Sequence, residues 1–126
     1  MEEGLKLFEQ SLERLEEILE KEKTIAYRDA AIKRFEFTVE LAWKTIQKFL
    51  RNQGIMCRSP KECLREAFKF KLIEDDPLWL KMLDDRNLTS HTYNEELAEE
   101  IHKRLPIYLN LLNGLKDSLR QEKNKL

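Results

Sequence analysis

One stretch of the chain collects side chains that could do chemistry: Asp84, Asp85, Arg86, Asn87, Leu88, Thr89, Ser90, His91, Thr92 and Tyr93. Arg86 offers a planar, permanently charged fork that matches a phosphate. His91 can take or give a proton near neutral pH. Together they are a sufficient minimum for cleaving RNA by attack of its own 2′-hydroxyl, with no metal. One imidazole serves poorly as both acid and base, and two copies across a two-fold axis would supply both. On an unbroken helix, five steps set Arg86 and His91 roughly 140° apart. They converge only if the helix ends or bends between them, or if a second subunit supplies the matching half. A plainer reading stays open. Arg86 and His91 could do no more than cap a helix end, with Asp84 or Asp85 neutralising Arg86 locally.

These residues need a scaffold, and the composition suits helices. The chain has 126 residues, 41% of them hydrophobic and 37% charged, which fits one domain of amphipathic helices and argues against disorder. Only 3 Gly and 3 Pro leave few tight turns, which disfavours an all-β fold. Cys57 and Cys63 lack zinc-ligand spacing and are expected to be free thiols in a reducing cytosol. No metal or other cofactor is expected. Met1 is followed by Glu2 and Glu3, unlike a signal peptide, and no apolar run approaches a membrane span. A cytoplasmic protein without a membrane partner is the expectation.

Net charge is −1 but comes in blocks. Residues 1–22 carry 8 acidic and 3 basic side chains, 33–71 carry 10 basic and 4 acidic, and 74–100 carry 9 acidic and 2 basic. Such blocks suit either solvated helix faces or docking to a charged partner. The balance argues against a protein that coats RNA over its whole surface.

Apolar spacing predicts five helices. Leu5, Phe8, Leu12, Leu15 and Leu19 stripe the first. Thr24 caps a second that runs to about Asn52, where Gly54 can take the left-handed cap. Its stripe contains Ile32, Phe35, Val39, Ala42, Trp43, Ile46, Phe49 and Leu50, widened by Phe37 and Leu41, so burial on more than one side is expected. Ser59, Pro60 and Glu62 form a start signal for a short third helix, and Asp76-Pro77 starts a fourth. Thr92 to Asn94 caps a fifth, in which Pro106 should introduce a kink and His102 is a partly exposed bystander. The expected architecture is all-α, an antiparallel up-and-down bundle of four to five helices over residues 1–120, with a polar, frayed tail at 121–126.

The run from Arg86 to Tyr93 resembles the Arg-x4-His-x-Tyr signature of HEPN proteins of the HepT kind, and still more the branch of nucleotidyltransferase substrate-binding proteins. The resemblance spans nearly the whole chain. It includes Glu40 to Lys44, Ser59 to Glu62, and Trp79 to Met82 before the motif. It implies an antiparallel helical bundle that forms a homodimer and brings two motifs into one cleft. Active members are metal-independent ribonucleases, many of them toxins, and a neighbouring minimal nucleotidyltransferase acts as antitoxin by transferring AMP to the motif tyrosine. By that resemblance Arg86 would hold the scissile phosphate, His91 would transfer protons, Asn87 would help orient the cleft and Tyr93 would accept AMP.

Three functional classes follow. The first is a dimeric ribonuclease toxin silenced at Tyr93. The second is a noncatalytic subunit that presents substrate or nucleotide to a nucleotidyltransferase, favoured by the acidic 74–100 block. The third is a structural adaptor, which requires the motif to be accidental.

Overall fold

The computed structural model describes residues 1–125 and is all-helical over them. The elements are α1 (Glu2–Leu19), α2 (Ile25–Asn52), α3 (Pro60–Lys69), α4 (Leu78–Leu88), one 3-10 turn at Thr89–His91, and α5 (Glu95–Asn124).

The helices begin where the sequence offers acceptors for their orphan N–H groups. The Thr24 hydroxyl accepts from the Tyr27 amide, Ser59 from Glu62, and the Asn94 amide oxygen from Leu97. Asp76 Oδ1 accepts from the Leu78 amide at 2.9 Å. Glu62 reaches back to the Arg58 amide, one residue earlier than an ordinary capping box. At the end of α2, Gly54 sits at φ 81°, and the Ile55 amide donates to the Leu50 carbonyl. At the end of α3 the same left-handed place is held by Lys71, at φ 68°.

The core is one cluster. Phe8 and Leu15 of α1, Phe35 and Ile46 of α2, and Ile101, Tyr108 and Leu112 of α5 are buried in it. Phe35 and Tyr108 stack with ring centroids 5.5 Å apart. Ion pairs fix the relative directions. Lys123 and Arg120, near the end of α5, meet Glu2 and Glu9 near the start of α1. Arg28, at the start of α2, meets Glu95 and Glu99 at the start of α5. Thus α1 runs antiparallel to both α2 and α5.

Several expectations need correction. Cys57 and Cys63 are not free thiols but a disulfide. The chain doubles back at Ser59-Pro60 to begin α3, which brings the two Cα atoms to 5.1 Å, within bridging reach. Phe37 does not join the core and is 53% exposed, while Leu41 is only partly buried. The Phe37 ring lies under the Lys33 ammonium, 5.3 Å from the centroid, and lines a groove between α1 and α2. The stretch expected to fray continues α5 as far as Asn124, since Lys123 is held by Glu2. Leu126 lies outside the described residues. Pro106 lies inside α5, as expected, on an exposed position. Among the described residues no helix is long and apolar enough to cross a membrane.

Candidate functional site

The α-helix that carries Arg86 stops between it and His91. α4 ends at Leu88, and Thr89–His91 tightens into a 3-10 turn. The halt has a visible cause in Thr89, which is buried. Its hydroxyl donates to the Arg86 carbonyl at 2.7 Å and lies 3.2 Å from Glu36 Oε2. Thr92 in turn donates to the Thr89 carbonyl at 3.0 Å. Side-chain bonds to local carbonyls replace the helical ladder and turn the chain toward α5.

The motif is thereby split into two parts. Arg86 and Asn87 line a groove of about 440 Å³ between α2, the start of α3, and α4. His91 and Tyr93 lie outside that lining, both exposed, with their rings edge to face at 6.0 Å between centroids. Tyr93 is 82% exposed, so its phenol is open to a second protein. Within one chain, then, the structure places Arg86 with Asn87, and His91 with Tyr93, but does not gather all four in one pocket.

Arg86 is half-buried and sits beside Glu40, with Nε 3.0 Å from Oε1. The alignment is too poor for a hydrogen bond, so Nε is a buried donor facing a carboxylate without bonding to it. The neutralising partner is therefore Glu40 on α2, and the local pairing considered for Asp84 and Asp85 does not form. Asp85 turns away and is 1% exposed. It accepts from Arg104 Nε at 2.6 Å, Arg104 Nη2 at 2.9 Å and the Tyr108 hydroxyl at 2.5 Å. Burial and then the Asp85 carboxylate push the Tyr108 phenol up, while Asp85 raises Arg104. Tyr108 is thus a locked hydrogen-bond donor rather than a proton carrier.

Residues not singled out in the sequence complete the groove. Trp43, Glu40 and Lys61 line it with Arg86 and Asn87, above buried Val39 and Leu83. The signal for them lay in the short segments Glu40 to Lys44 and Ser59 to Glu62, far from the motif in sequence yet converging on it. His102 is half-buried in α5 away from this groove. Burial, then the Lys23 charge, pushes its imidazole down against the opposing pull of Glu99. Among the described residues no group of three or more His, Cys, Asp or Glu could hold a metal.

The bundle thus exposes a groove lined by Arg86 and Lys61 and, after α4, an accessible imidazole–phenol turn. The chain belongs to the family described as nucleotidyltransferase substrate binding protein like, whose pattern matches residues 3–121. It is 36% identical over 96 residues to a probable ribonuclease HepT of Haemophilus influenzae, covering 72% of this chain and 66% of that protein, just under two thirds of its length. A crystal structure from Thermus thermophilus matches with TM-score 0.85 and 44% identity, covering 90% of this chain and 98% of that one. A Haemophilus influenzae structure reported as the fold of a substrate binding domain of a nucleotidyltransferase matches with TM-score 0.81 and 28% identity, covering 92% and 98%.

Proposed function

We propose that this chain is a HEPN-type subunit, toxin-like in character, that works in the cytoplasm with a minimal nucleotidyltransferase and cleaves RNA as a homodimer without a metal. The observation that carries the reading is the end of α4 between Arg86 and His91, which leaves a guanidinium in a groove and an exposed imidazole in the turn that follows. Arg86 holds the scissile phosphate and Asn87 orients the cleft. His91 of one copy takes the proton as the 2′-oxygen attacks phosphorus, and its twin protonates the departing 5′-oxygen. The P–O5′ bond breaks and a cyclic phosphate remains. A second copy is needed because each chain supplies one exposed imidazole in this motif. Tyr93 is the acceptor of AMP: its phenolic oxygen attacks the α-phosphorus of ATP, pyrophosphate departs and the phenolic proton passes to solvent. The added phosphate brings negative charge and bulk beside the motif, which repels RNA.

A second reading, a noncatalytic subunit that binds substrate or nucleotide for the nucleotidyltransferase, is favoured by the acidic 74–100 block and by the family's description. Expression of the wild type and His91→Ala separates the two. The nuclease reading expects growth arrest and RNA decay with the wild type alone, and harmless wild type with intact RNA overturns it. Incubation with the nucleotidyltransferase and labelled ATP should label the wild type and not Tyr93→Phe. Label that survives Tyr93→Phe removes the acceptor assignment.

A further inference from the structure

Trp43 lies on the apolar stripe of α2, where full burial is the ordinary outcome, yet it is only half-buried and lines the groove. Its one polar atom is already engaged, since Nε1 donates to Glu40 Oε2 at 3.3 Å. What it gives the groove is therefore aromatic surface. Glu40 faces Trp43 with one oxygen and Arg86 with the other, so this carboxylate orients both side chains and is itself neutralised. On the opposing wall, Lys61 in the first turn of α3 is exposed and has no carboxylate partner among the described residues. The terminal nitrogens of Arg86 make no hydrogen bond among the described residues.

We propose that this groove is a nucleotide subsite, in which Trp43 stacks a base while Lys61 and Arg86 hold the phosphates on either side of it. Every base has a π-face, so stacking on an aromatic ring between cations is the usual way to hold single-stranded nucleic acid without reading its sequence. The volume of about 440 Å³ falls within the range of small-ligand sites. Asn87, exposed at the rim, offers an amide to a base edge. Val39 and Leu83 give the base a dry floor. The subsite deepens the assignment of Arg86 as a phosphate ligand and does not require that the bound RNA be cut. A free mononucleotide and one residue of an RNA chain share this chemistry.

Binding of 2′-O-methyl octaadenylate, which lacks the attacking hydroxyl, tests the proposal, with AMP as the second probe. Trp79 is buried, so Trp43 should dominate any quenching of emission on binding. That quenching should disappear in Trp43→Phe while the affinity largely remains. Trp43→Ala should weaken binding about tenfold or more. Lys61→Ala, at an exposed position that does not endanger folding, should weaken it and lower the salt dependence by about one phosphate contact. Lys116→Ala on α5 should change nothing. Dependence on Trp43 and Lys61 with either probe upholds the subsite, and the probe that binds identifies a mononucleotide or a chain. Unaltered emission with unaltered affinity in Lys61→Ala overturns it, as does equal weakening by Lys116→Ala or no binding of either probe. If Arg86→Ala alone weakens binding, the phosphate role of Arg86 survives and the base subsite does not. If binding follows the subsite but the unmodified RNA is not cut, the nuclease reading fails and the subsite stands.

Discussion

Asp85 and Arg86 are neighbours in sequence with opposite fates. Arg86 faces the groove beside Glu40, while Asp85 is sealed inside against Arg104 and Tyr108. The carboxylate holds the last turns of α4 against α5 and so sets the angle at which Arg86 is presented. Removing it would leave a buried phenol and a partly exposed guanidinium without their acceptor. Asp85→Ala should destabilise the fold by about 3 kcal/mol, the low end for a broken buried pair because the Arg104 side chain keeps 27% of its exposure. Urea unfolding measures this, and a loss under about 1 kcal/mol would mean that water reaches the pair and screens it. The sequence placed two acids beside Arg86 but could not say which way each turned. That depends on where α5 passes, a tertiary fact with no local signature. Glu40 escaped notice as a site residue for the same reason, being more than forty positions away from Arg86.

At the scale of elements, the helix starts were legible because a cap is a local contract between a side chain and an amide two or three places on. Thr24, Ser59 and Asn94 all serve as caps. Gly54 was legible too, whereas Lys71 takes the same left-handed conformation without being a glycine and gave no sign of it. The disulfide was illegible because a separation of six residues becomes short only when Ser59-Pro60 reverses the chain. Its bridge closes a small loop around the residues that deliver Lys61 to the groove. By loop-closure entropy such a bridge stabilises by about 2 kcal/mol. Thermal unfolding with and without a thiol reductant should show that loss, and Cys63→Ser should reproduce it. An unchanged melting temperature after verified reduction would show the bridge to be idle.

The start of α2 is clamped to the start of α5 by Arg28, itself 2% exposed, with Asp29, Glu95 and Glu99 around it. Lys23, then Arg28, holds the Glu99 carboxyl at about 2, against an ordinary 4.5, and Arg28 lowers Glu95. A folded value below the unfolded one means that the unfolded chain binds the proton more tightly. The contribution is therefore fully present above pH 4.5 and is lost as pH falls toward 2. Both carboxylates are open to water, so the effect is modest and weakens with salt. Denaturation midpoints taken across this range should fall with pH in the wild type and fall less in Arg28→Met. Parallel curves for the two would place the acid sensitivity elsewhere.

For the whole molecule, the pattern of exposed apolar residues bears on assembly. The stripe on α2 is broad enough in sequence for burial on more than one side, yet the single chain leaves Phe37 53% exposed, with the Lys33 ammonium over its ring. With Leu7 of α1, 46% exposed, Phe37 lines a groove between the two helices, and Glu40 belongs to the lining of both this groove and the motif groove. A second copy seated on this face would bury Phe37 and come close to the motif groove, since Glu40 lines both, and the proposed cleavage requires a second copy. The helical bundle was thus legible in the spacing, but the spacing alone could not distinguish a core position from one that only a partner covers. Burying an aromatic side chain is worth about 1.5–3 kcal/mol, and a two-fold axis counts it twice. Phe37 is already about half buried in the single chain, so Phe37→Asp should weaken dimerisation by about tenfold or more, at about 1.4 kcal/mol per tenfold. Light scattering at micromolar concentration should give a dimer for the wild type and a monomer for the variant, with the helical circular dichroism unchanged. RNA cleavage should vanish with the dimer, because each His91 loses its twin. On the proposed acceptor role, labelling of Tyr93 should persist, since its phenol is exposed in the single chain. A wild-type monomer, or a Phe37→Asp dimer of undiminished strength, would show that this face is not where two copies meet.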